Sequence, residues 1–172
     1  MQKAIIRLLV LTIVSLILLL NSAAAHSADP GGRLEGLIGE REVSVELDVD
    51  QSDWYGDGNA GGVSMMSRPI APKDGLGRFS IGFEGSDFRA GRFSNFEVDL
   101  GMVGSPGVYY RADLDDGLEV SFDQITREGE LLVLEGRVRG TLTSQHLRDR
   151  TRDADDRLEI EIDFSVRIGN HF

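Results

Sequence analysis

Three histidines, 29 acidic residues and no cysteine bound the chemistry open to this chain of 172 residues. A thiol nucleophile is excluded, and no two histidines have the spacing of zinc ligands. His26 and His171 lie near the two ends, which leaves His146 as the one internal imidazole. A Ser-His-Asp arrangement would therefore need distant parts of the chain to meet around it. Carboxylate pairs of the kind used in glycoside hydrolysis arise by chance among so many acids. No glycine-rich phosphate loop with a following lysine occurs. The sequence points away from an enzyme.

The densest cluster of polar and aromatic side chains runs from Asp48 to Asn59. Asp48, Asp50 and Ser52 alternate like the opening ligands of a calcium loop, but the sixth position is Asp53 where glycine is needed. The twelfth is Asn59 where a bidentate glutamate should close the site. A looser calcium site built on Asp53, Asp57 and Asn59 is the one metal reading this loop allows; otherwise no cofactor is expected. Turn chemistry alone also accounts for Asp, Asn and Gly at these positions. Trp54 and Tyr55 invite two readings. They form a stacking platform for a sugar ring, with Asp53, Asp57 and Asn59 as hydrogen-bond partners, or Trp54 caps the core while Tyr55 projects.

The elements that position this loop show a period of two. Val43, Val45, Leu47 and Val49 share a face opposite Glu42, Ser44, Glu46 and Asp48. At the other end of the chain Leu158, Ile160, Ile162, Phe164, Val166 and Ile168 oppose Glu159, Glu161, Asp163, Ser165 and Arg167. Such alternation predicts half-buried strands. Further strands are expected over 62–67, 78–83, 93–103, 108–112, 118–125 and 131–142, with Leu34 to Ile38 as an added edge strand. Ser105-Pro106-Gly107 reads as a type II turn, and Asp115-Asp116-Gly117 and the run from Arg127 to Glu130 as hairpin loops. The Arg- and Asp-rich stretch from Arg148 to Arg157 reads as a solvated loop. Arg137 and Arg139 share a face and are placed to offset Glu159, Glu161 and Asp163 across a hairpin.

Lys3 and Arg7 ahead of an apolar run from Leu8 to Leu20, closed by Ala23-Ala24-Ala25, read as a secretory signal peptide cut before His26. The run is shorter than the ~20 residues of a spanning helix. The organisation expected is a signal peptide over 1–25, a lead-in over 26–40 and a single β domain over 41–172. Once Lys3 and Arg7 leave with the signal, 16 basic and 29 acidic residues give a formal charge of −13. That field repels nucleic acid and anionic lipid. A cysteine-free exported chain favours a bacterial periplasm or secretion.

The fold expected is all-β, an antiparallel β-sandwich of about eight strands that binds a partner protein or a glycan at its loop ends without inserting into a membrane. The alternative is a small eight-stranded outer-membrane barrel, a structural envelope protein. The C-terminus resembles the closing strand of such barrels, because Phe164, Val166, Ile168 and the terminal Phe172 keep one parity. Against it stand the few Tyr and Trp residues and segments too short to span.

Overall fold

The structure, a computed structural model, describes residues 29–105 and 107–170. The signal-peptide reading of 1–25, together with His26, Pro106, His171 and Phe172, falls outside the described residues.

The chain is all-β, one antiparallel sheet curled into a half-barrel. The described residues form ten strands: β1 (Gly31–Ile38), β2 (Arg41–Glu46), β3 (Asp53–Gly56), β4 (Gly61–Met66), β5 (Leu76–Asp87), β6 (Arg92–Met102), β7 (Val108–Asp113), β8 (Glu119–Glu128), β9 (Leu131–His146) and β10 (Arg152–Gly169). They lie in the order β2-β1-β10-β9-β7-β6-β5-β4-β3, with β8 also on β9. The alternation read from sequence sets which side chains turn inward. Ile160, Ile162, Phe164, Val166 and Ile168 are buried while Glu159, Glu161 and Asp163 face out.

The long strand β9 has two neighbours along one side. Its first part, Leu131 to Arg139, pairs with β8, and its last part, Thr143 to His146, pairs with β7. β7 and β8 therefore sit one after the other along the same side of β9. The segment Leu114–Asp116 between them is a 3-10 turn, capped by Asp113, which leads from one to the other rather than a hairpin loop. The β8–β9 hairpin forms where expected, with Glu128 opposite Leu131.

Three further expectations are corrected. Leu34 to Ile38 belongs to an inner strand, since β1 runs between β2 and β10 and pairs with β10 from Gly31 to Ile38. Gly36 permits this close pairing: its φ is 148°, and a Cβ there would lie 2.0 Å from the Glu161 carbonyl oxygen. Asp53 to Gly56, read as loop, is a strand, because Tyr55 and Trp54 find partners in β4. Arg152 to Arg157, read as solvated loop, begins β10, whose pairing with β9 starts at Arg152 and resumes after a bulge at Arg157.

One apolar core fills the inside of the curl. Phe83 of β5 meets Phe122 of β8 with ring centroids 5.3 Å apart, and Phe122 meets Phe164 of β10 at 5.7 Å. These T-shaped contacts join the β3–β6 half of the sheet to the β8–β10 half across the interior. The two margins of the sheet also touch. Leu47, just past β2, bridges Ser67, just past β4, with Asp48 N donating to Met66 O at 2.7 Å and Arg68 N donating to Glu46 O at 2.9 Å. On the outside, Arg137 bonds Asp163 through Nε at 2.6 Å and reaches Glu161 at 3.2 Å, while Arg139 turns to Glu119 at 2.7 Å. The expected cross-strand ladder thus runs over three strands rather than two.

Candidate functional site

Residues Asp53 to Asn59 end in different places because strand parity separates neighbours. Trp54 points inward and is 1% exposed. Its Nε1 donates to the Glu130 carbonyl at 3.1 Å, and the Arg127 guanidinium lies 5.3 Å from its ring centroid. The ring caps the core and offers no free face to a sugar, which corrects the platform reading at this residue. The physical reason is that β3 exists: once Asp53 to Gly56 pairs with β4, alternate side chains must enter the interior.

Asp57 and Asn59 are spent on the fold. Asp57 Oδ1 accepts the backbone N–H groups of Asn59 at 2.9 Å and Ala60 at 2.8 Å. These bonds hold its carboxyl below the usual carboxylate range. Asn59 Nδ2 donates to Asp87 Oδ1 at 3.1 Å, its Oδ1 accepts from Arg89 N at 3.3 Å, and its carbonyl accepts from Phe88 N at 2.8 Å. The β3–β4 turn is thereby tied to the β5–β6 turn. Arg89 Nη2 in turn donates to the Ile125 carbonyl of β8 at 2.6 Å, so both turns rest against the opposite half of the sheet. Among the described residues no group of three or more His, Asp or Glu side chains is placed to hold a metal ion. Asp57 and Asn59 meet in the β3–β4 turn, while Asp53 lines the outer face of β3.

Asp53 and Tyr55 face outward on β3, and the register of four strands surrounds them. One row across the sheet reads Asp53, Ser64, Gly82, Glu97; the next reads Tyr55, Gly62, Glu84, Asn95. A glycine in each row lowers the floor, leaving a groove of about 200 Å³. Gly62 leaves the space that the Tyr55 ring takes, since a Cβ would lie 2.3 Å from the ring, which rests over it. Tyr55 remains 46% exposed. Its hydroxyl is pushed up in pKa, first by its hydrogen bond to Glu84 and then by partial burial.

The groove thus combines an aromatic face with hydrogen-bonding groups: carboxylates at Asp53, Glu84 and Glu97, hydroxyls at Ser64 and Tyr55, and an amide at Asn95. Carboxylates accept from hydroxyls, and the amide both donates and accepts. At its edge Glu97 pairs with Arg111, which also lies 3.6 Å from Asp99. Burial raises the pKa of Asp99 to about 6, against the pull of Arg111 and with a further push from Glu97. His146 lies elsewhere, at the end of β9 beside the turn to β10.

Ser64, Glu84, Asn95 and Glu97 were not singled out in the sequence. Ser64, Asn95 and Glu97 lie in strands expected from the sequence and Glu84 just past one, but only the strand order places them beside Tyr55. Compared with protein-family models, with curated proteins and with solved structures, the chain matches none.

Proposed function

We propose that this chain is an exported, non-catalytic β-sandwich protein that binds a glycan on the outer face of β3 to β6. The observation that carries the reading is the Tyr55 ring resting over Gly62, half open to solvent and set among the side chains of two cross-strand rows. A sugar ring offers an apolar face for the aromatic and hydroxyls for the carboxylates and amide. The site is on the sheet rather than on the loop ends, because the Asp57 and Asn59 turn is occupied in holding two hairpins together.

Export rests on the charged start, apolar run and Ala23-Ala24-Ala25 of the first 25 residues. Apolar side chains turned inward and charged ones outward support a sandwich in water over a barrel in the outer membrane, which needs the reverse. The short strands β2, β3, β4 and β7 support the same choice, at four to six residues against the ~9 to 11 of a spanning strand.

The test is calorimetric titration of the mature chain with soluble neutral oligosaccharides, beside fractionation of expressing cells. Tyr55→Ala is expected to abolish binding while leaving the melting temperature within about 2 °C, since the ring is surface-exposed. Binding indifferent to Tyr55→Ala, or no binding by any oligosaccharide, overturns the glycan reading; recovery in the outer membrane overturns the sandwich.

A further inference from the structure

We infer that the edge of β2 is a second binding site, for an extended segment of a partner polypeptide that adds to the sheet as a strand. The inference is independent of the Tyr55 groove. It begins with where the backbone of β2 points. Leu47 N donates to Gly32 O at 2.9 Å, toward β1, whereas the Glu46 carbonyl accepts from Arg68 N and Asp48 N donates to Met66 O, both away from β1. Backbone direction alternates along an antiparallel strand. Glu42 and Ser44 therefore turn their N–H and C=O groups to the same side as Glu46.

The ladder that Arg68 begins is not continued to them. Pro69 follows, and the chain then folds back on the start of β5, with Ile70 N donating to Gly77 O at 2.9 Å and Ala71 and Leu76 exchanging bonds at 3.2 and 3.1 Å. Between this segment and β2 lies a groove of about 580 Å³, lined by Arg41 to Ser44 on one side and Ile70, Ala71 and Leu76 on the other. A strand residue fills roughly 4.8 by 10 by 3.4 Å, so the groove holds about three to four residues.

What fits is fixed by three features. The Glu42 and Ser44 backbone groups ask for another backbone at strand spacing, continuing the register where Arg68 leaves. Ile70 and Ala71, part-exposed beside the buried Val43 and Leu76, ask for apolar side chains at alternate positions. Exposed Glu42 stands beside Arg41 on the groove wall, and the net charge of −11 over the whole chain asks for Lys or Arg between them.

The experiment uses the mature chain and a fluorescein-labelled peptide, Lys-Val-Lys-Val-Lys-Val-Lys, followed by fluorescence anisotropy and by amide hydrogen exchange. Binding is expected to slow exchange at the Glu42 and Ser44 amides. Ser44→Pro removes an N–H that makes no bond to β1, and is expected to weaken binding at least tenfold; Ser44→Ala, which keeps that N–H, is expected to bind like wild type. N-methylation of the peptide at the amides facing β2 should abolish binding, and at the intervening amides should not. Should Ser44→Pro fail to fold, exchange and the N-methyl peptides decide. No binding of the peptide, unchanged exchange at Glu42 and Ser44, or binding indifferent to N-methylation overturns the inference. So does protection of those amides by self-association without peptide.

Discussion

Asn59 and Asp87, in the turns of two different hairpins, are joined by a 3.1 Å hydrogen bond from Nδ2 to Oδ1. Asp87 Oδ1 also accepts from Ala90 N at 3.1 Å, and these bonds hold its carboxyl below the usual range. Asn59→Ala is expected to cost about 1–2 kcal/mol in urea unfolding, the net worth of one or two partly buried hydrogen bonds. Asn59→Asp should cost more at pH 7 than at pH 4, because it sets a second carboxylate against Asp87. Equal losses at both pH values would mean that the two turns are not coupled through this pair.

Truncating Trp54 tests its place in the core. Trp54→Ala should lower stability by ~3–5 kcal/mol, and Trp54→Phe by about 1 kcal/mol, for the hydrogen bond to Glu130. Calcium and a chelator should leave the wild-type melt unchanged, since a ligand held only by the folded state would raise it. A calcium-dependent shift would show that the turn holds an ion after all.

Neighbours on β10 should respond in opposite ways. Ile162 is 1% exposed, and Ile162→Asp buries a carboxylate without a partner, which should cost several kcal/mol and unfold the domain. Glu161 faces solvent and shares Arg137 with Asp163, so Glu161→Lys should change stability by no more than about 1 kcal/mol. Circular dichroism melts separate the two.

Asp99 gives the fold a pH dependence of known sign. Its side chain is 29% exposed, its Oδ1 makes no hydrogen bond, and its pKa rises from 3.8 to about 6 on folding. The folded state therefore holds this proton more tightly than the unfolded state. Stability from Asp99 is full below the unfolded value and is lost as pH rises from about 4 to about 6. Asp99→Asn, which mimics the protonated form, should gain on wild type across that window and stay about 1–2 kcal/mol ahead above it, the ~1.4 kcal/mol per pKa unit being reduced by partial exposure. Asp57 and Asp87, with lowered pKa values, slope the opposite way in both proteins and cancel in the comparison. A constant difference from pH 4 to pH 7 would assign Asp99 no role.

Much of the fold was legible because a period of two is a local property. The alternation from Leu158 to Ile168 determined both that β10 is a strand and which of its side chains are buried, and the same held for Val43 and Val45 in β2, though the strand stops at Glu46 and Val49 enters a 3-10 turn. Asp57 and Asn59 carried turn chemistry, and they do make a turn. What no local pattern carried was pairing. A strand as short as Asp53 to Gly56 shows no alternation to read, so the inward turn of Trp54 depended on β4 lying beside it. The placing of β7 and β8 on one side of β9 depends on how two parts of one strand meet different neighbours. Ser64, Glu84, Asn95 and Glu97 come from three successive strands, and only the registers fixed by hydrogen bonds between β3, β4, β5 and β6 gather them around Tyr55. The backbone groups of Glu42 and Ser44 likewise became an open edge only because Pro69 turns the neighbouring segment away.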